Sequence, residues 1–200
     1  MTTTERTEFG ADAAEAILRR ACAVADLEPD GIEILRLGDH AVFRVEGGRI
    51  ISRVGRGADR LASVRREVAV ARWLADQGYP AAHLVTDAEQ PIVIEDHPVA
   101  FWEGLADGDE YASTAEMGVL LRRLHDQKPP PFSLPRLQPF DKSASRLEHA
   151  VIPESTRIFL HSMARDLEAE YGRLEFSLSS GHLHGDFNVG NVLRDTAGRN

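Results

Sequence analysis

The residues best suited to chemistry lie near the end of the 200-residue chain: His184-Gly185-Asp186, with Asn191 five positions after the aspartate. A carboxylate so placed can take the proton of a hydroxyl or orient it, while an amide oxygen further along the same loop can hold a divalent cation. Phosphoryl transfer asks little more of the protein in covalent terms. It needs an acceptor hydroxyl in line with the phosphate, metal on the phosphate oxygens, and positive charge over them. The run from His184 to Asn191 reads H-x-D-x-x-x-x-N and supplies the first two from one turn. Its flanks, His182-Leu183 and Val192-Leu193, read as short strands holding the loop. A second chemistry shares these residues. His182, His184 and Asp186 spell H-x-H-x-D, and imidazoles at alternate positions of a strand end can share zinc. Hydrolases of that kind want another histidine after the aspartate, where this chain has Phe187.

The third requirement, positive charge, is met by a locally basic stretch. Between Arg49 and Arg72 lie Arg49, Arg53, Arg56, Arg60, Arg65, Arg66 and Arg72, against Asp59 and Glu67. For most of these arginines a solvated, salt-bridged helix face is the simpler reading. A polyphosphate site needs such a basic strand and helix within an otherwise acidic protein.

The elements that must position these groups are legible from periodicity. A helix is expected over 12–26, with Ala13, Ile17, Leu18 and Ala21 on one face. Strands follow at 32–37, 41–45 and 49–54. Gly38-Asp39 turns the first pair, and Gly47-Gly48 gives a two-residue hairpin for the second. Gly55 and Gly57 end this meander. A helix over 62–77 carries Val64, Val68, Ala71 and Leu74 at helical spacing and stops at Gly78. Two further strands, 91–95 and 99–102, are turned by Asp96-His97-Pro98. Beyond Gly104 helices dominate: 112–126, then 141–150 and 154–171 after the proline run at 129–131. Trp73 and Cys22 read as core, while Glu110, Glu116 and Asp126 read as solvated, and His83, His97, His149 and His161 as incidental.

With these elements in order, the chain resembles the aminoglycoside phosphotransferase and choline kinase group, small-molecule relatives of the protein kinases. The resemblance rests first on His-Gly-Asp with Asn five residues later and Val-Leu after it. It extends back to about Ile32. Residues 37–45 resemble the nucleotide loop and its strands, 50–54 the strand of the phosphate-contacting cation, and 66–75 the helix whose glutamate pairs with that cation. Residues 100–103 resemble the hinge, and 120–125 a helix that often ends in Leu-His.

The resemblance implies an α+β, two-lobed protein-kinase-like fold. Residues 1–104 would form a nucleotide-binding lobe of five antiparallel strands and a helix, and 105–200 an incomplete, mostly helical lobe with the catalytic loop. Carried over residue by residue, Asp186 is the catalytic base, His184 braces the loop, and Asn191 binds magnesium. Arg53 contacts the phosphates and is held by Glu67, and the backbone of Phe101, Trp102 and Glu103 meets the adenine edge. Arg53 stands where the best-known members have lysine; it keeps the charge with a different reach and a planar fork. The cofactors implied are ATP or GTP with Mg2+, and the partner is a small molecule bearing a hydroxyl. A second metal-binding aspartate, on the strand after the loop hairpin, has no counterpart by Asn200, and Asp195 lies too near Asn191 to replace it. A fragment with impaired or no turnover is therefore expected. The alternative is an inactive kinase-like module that binds nucleotide or a partner.

Composition sets outer limits on function. The 42% hydrophobic and 28% charged residues are ordinary for a globular protein. A net charge of −9 argues against nucleic acid, whose phosphates are bound by Lys and Arg. No apolar run or leader pattern points to a membrane or to export, and one cysteine excludes an internal disulfide, so a cytoplasmic setting is expected.

Overall fold

Alternation of apolar residues decides the sheet. A computed structural model of the chain describes residues 9–38, 40–85, 88–104 and 111–194. In it, β1 (Glu33–Leu37), β2 (His40–Val45), β3 (Ile50–Gly55), β4 (Ile92–Ile94) and β5 (His97–Glu103) form one five-stranded sheet. All its pairings are antiparallel and its order is β1-β2-β3-β5-β4. Because successive side chains point to opposite faces, β2, β3 and β5 sort their residues into two layers, whereas β1 at the edge is exposed along its whole length.

One layer packs on α1 (Ala11–Ala25), whose buried face is Ala14, Ile17, Leu18, Ala21, Cys22 and Ala25. Phe43, Val45, Ile50, Val54, Val99 and Phe101 meet it from the sheet. The face is shifted from the sequence expectation, with Ala14 rather than Ala13 at its start. The opposite layer packs on α2 (Leu61–Asp76) through Val64, Val68 and Ala71, against Ala100 and Trp102. α2 stops at Gly78, which takes φ +63° so that the Gly78 and Tyr79 N–H groups can reach the Ala75 and Leu74 carbonyls. Burying a side chain such as Phe43 contributes about 1.5–3 kcal/mol.

Cys22 is fully enclosed in the α1 layer, and burial pushes its thiol up to about 11 from 9.0. The folded chain therefore disfavours the thiolate. The resulting stability is complete below pH 9 and is lost as pH rises through about 11, by roughly 2–3 kcal/mol in all. Urea unfolding as a function of pH should show this fall, and Cys22→Ala should remove it.

Three local expectations need correction. The β2–β3 connection is not a two-residue hairpin: Val45 pairs with Ile50, so residues 46–49 form the loop. Glu46, Gly47 and Gly48 all take positive φ there. The second hairpin turns at Glu95-Asp96, since Ile94 pairs with His97 and Val93 with Pro98. Proline is tolerated because its absent N–H would point toward β3, whose last pair with β5 is Val54 with Val99. The Gly55 carbonyl is instead bonded by the His97 ring at 2.8 Å, and as a carbonyl only accepts, Nδ1 carries the proton. His97 also stacks on Phe9 and is thus structural rather than incidental. Finally, 182–183 is not a strand, and 192–193 contributes only a single bridge, Leu193 to Tyr111. Two residues cannot hold a strand without a neighbour to pair along their length.

The chain divides into two units, 1–130 with 186–200, and 131–185. The first also holds α3 (Thr114–His125), capped by a reciprocal box in which the Ser113 hydroxyl accepts from Glu116 N and the Glu116 carboxylate accepts from Ser113 N. The second holds α4 (Ser143–His149) and α5 (Glu154–Tyr171), joined by Arg157, which donates to the Leu147 and Ala150 carbonyls. No helix among the described residues is long and apolar enough to cross a membrane.

Candidate functional site

Two clusters of the expected site residues are brought together, both within the first unit. The first lies on the α2 face of the sheet. Arg53 on β3 stands opposite Ala100 on β5, so its side chain leaves the sheet on the α2 side. Glu67 is three residues after Val64 and four before Ala71, on the inward face of the helix. Arg53 Nη1 consequently reaches Glu67 Oε2 at 3.6 Å. The guanidinium also lies 5.9 Å from the centre of the Trp102 ring. Sequence reading assigned Trp102 a backbone role and gave no role to its ring.

At the β5 end, most backbone groups are engaged. The Phe101 N–H donates to Gln90 Oε1 at 2.8 Å and its carbonyl accepts from Val85 N. Glu103 N–H donates to the His83 carbonyl, and Gly104 N–H to that of Arg49. Gly104 passes so close to the Gly48 carbonyl that a Cβ there would overlap it, so only glycine fits. Gln90 was not singled out by any pattern; its buried side chain acts as a surrogate strand partner for Phe101.

The second cluster is the loop. Asp186 Oδ2 accepts from Asn191 Nδ2 at 3.0 Å, and Oδ1 from Asn188 Nδ2 at 2.8 Å. The Asn191 amide also donates to the Asp186 carbonyl at 2.8 Å, while Asn188 Oδ1 accepts from Gly190 N at 2.9 Å. A carboxylate can only accept, so both amide NH2 groups must face Asp186, and Asn191 Oδ1 points away from it. Gly185, at φ +84°, makes the left-handed step that a side chain resists just before Asp186. Asn188 is the residue sequence reading missed here. Its signal was only that asparagine favours such turns.

The loop is held from one side. Phe187 packs on Ala112, Leu120 and Val192, and Ala112 N–H bonds the Val192 carbonyl. Arg194 Nη2 contacts both oxygens of Glu116 at 2.7 Å. Glu116, expected to be solvated, thus caps α3 and anchors the segment after the loop at once. Glu116→Ala should cost about 1–2 kcal/mol in urea unfolding, and Glu116→Gln, which keeps an acceptor for the cap, should cost less.

His184 is exposed and belongs to the second unit, as does His182. Among the described residues no group of three His, Cys, Asp or Glu side chains is placed to hold a metal ion. Asp39, Glu110 and Asp195 lie outside the described residues.

A five-stranded antiparallel sheet with a helix-paired cation, followed by helices and an H-G-D loop closed by asparagine, defines a kinase-like phosphotransferase fold. Residues 31–200 match the phosphotransferase enzyme family, and the chain belongs to it. Among solved structures it is similar to the aminoglycoside phosphotransferase APH(3'')-Id from Streptomyces rimosus, with a TM-score of 0.53 and 22% identity. That match covers 80% of this chain and 60% of the other. An aminoglycoside phosphotransferase from Alicyclobacillus acidocaldarius matches with a TM-score of 0.42 and 17% identity, over 77% of this chain and 53% of the other. The likeness is one of fold, and the chain spans about 60% or less of the length of these structures. No curated protein matches the chain.

Proposed function

We propose that the chain carries the nucleotide lobe, residues 1–104, and the catalytic loop, within 105–200, of an ATP- or GTP-dependent phosphotransferase acting on a hydroxyl of a small molecule. The observation that carries this reading is the Asp186–Asn191 pair. One residue presents a carboxylate fixed by two amides, and the other turns a free amide oxygen outward. An amide oxygen is a hard donor suited to magnesium, so Asn191 would hold the ion. When bound, the metal and nucleotide supply the transferable phosphate and neutralise the charge that develops on it. Asp186 orients the acceptor hydroxyl and takes its proton. Arg53, held by Glu67, places its charge on the phosphates. The backbone of Phe101, Trp102 and Glu103 meets the adenine edge.

The net charge of −9 fits a small-molecule acceptor rather than nucleic acid. The buried, unpaired Cys22 agrees with a cytoplasmic setting.

Thermal unfolding with Mg·ATP and Mg·GTP, paired with ADP or GDP release over a panel of hydroxyl acceptors, tests the reading. A shift upward in Tm that needs magnesium, with acceptor-dependent release, is expected. A shift without any release favours the inactive binding module. No shift with either nucleotide contradicts the phosphotransferase reading and a nucleotide-binding module alike.

A further inference from the structure

Arginine at position 53 raises a question the family resemblance leaves open: what holds a guanidinium in a place suited to lysine. Glu67 alone is a weak answer. The pair is separated by 3.6 Å, and the side chains are 51% and 39% exposed, so water and salt screen it. A single point of attachment also leaves the plane of the guanidinium undefined. The second neighbour is Trp102. Its backbone pairs with Ile51, and Arg53 pairs with Ala100, so Arg53 and Trp102 are diagonal neighbours on one sheet face. The indole is 8% exposed and fixed among Val64, Val68, Ala71 and Ala100. Among the described residues its buried N–H has no acceptor, so packing, not a hydrogen bond, sets the ring. The ring is therefore a rigid surface, and the flexible partner is the arginine.

We propose that Trp102 is a positioning residue that acts through Arg53: its ring face, with Glu67, fixes the guanidinium so that its fork is presented to a nucleotide polyphosphate. The idea rests on the nucleotide reading above. Arginine is the cation that profits from such a surface, since it is planar and weakly hydrated and stacks on aromatic rings, whereas an ammonium would remain a mobile point charge. Trp102 and Arg53 thus form a matched pair, and either is worth less without the other.

The test is calorimetric titration of the full chain with Mg·ATP and with adenosine, taking the ratio of the two affinities as the measure of phosphate contact. Trp102→Leu should lower that ratio about three- to fivefold, with adenosine affinity little changed. Trp102→Phe, which keeps a ring face, should restore most of it. In an Arg53→Ala background Trp102→Leu should leave the ratio unchanged. Equal losses for ATP and adenosine, or the same loss with Arg53 removed, would overturn the proposal and leave Trp102 as packing alone. A readout on the unmutated protein covers the case in which Trp102→Leu does not fold. The Arg53 Hδ protons should be shifted upfield by the indole ring current, and their absence from that region would also overturn it. If the wild-type chain binds neither ligand, the nucleotide reading falls and this proposal with it. An intact ring-current shift would then locate the fault in that reading rather than in the Arg53–Trp102 contact.

Discussion

Asp186→Asn is expected to lower kcat for phosphoryl transfer by about 10²–10⁴-fold while leaving the affinity for Mg·ATP within about twofold. The substitution keeps the volume and removes the proton acceptor. It also puts an amide where Asn188 and Asn191 now donate to a carboxylate, so one of their hydrogen bonds loses its acceptor. The loop is exposed, and little apolar surface depends on it, so unfolding should change far less than rate. The split between kcat and binding is what separates a base from a structural turn former. Loss of binding with transfer intact would count against the role assigned to Asp186.

The largest effect on stability is expected elsewhere. Phe43→Ala should cost about 3–5 kcal/mol in urea unfolding. Phe43 is 1% exposed, in the middle of β2, facing the α1 layer that also takes Leu18, Val54 and Phe101. Neither a helix nor a strand can move into the vacated volume without breaking pairings on both sides of β2. Against a typical total of about 5–15 kcal/mol, the variant should be marginal and prone to aggregate. Val24→Ala, on the exposed side of α1, is the control and should cost far less.

The meander, the two helices on its faces and the H-G-D loop were legible because each is written in local pattern: period two, period 3.6, and fixed spacing. What was illegible depends on contacts distant in sequence. Glu116 reads as a surface glutamate, and only the return of the chain at Arg194 makes it an anchor. Gln90 reads as loop, yet its side chain completes the hydrogen bonding of Phe101. Pro98 reads as a turn, but the end of the β3–β5 ladder frees it from needing an N–H. At the candidate site, Asp186 and Asn191 were read from type and spacing and Arg53 and Glu67 from the family resemblance; the fold brings the members of each pair into contact. The Trp102 ring was not, since a diagonal cross-strand neighbour is set by register, which composition does not reveal.

The central claim is that Asn191 and Asp186 form the metal and acceptor end of a nucleotide site. Its most direct measurement is NMR of the chain with Mn2+ replacing Mg2+, with and without a non-hydrolysable ATP analogue. The account predicts that the Asn191 side-chain NH2 and the backbone amides of 186–191 broaden when both are present, and that Asn191→Leu abolishes the nucleotide-dependent part. Loop signals that stay sharp at saturating metal and nucleotide, or broaden equally without nucleotide and in Asn191→Leu, would contradict it.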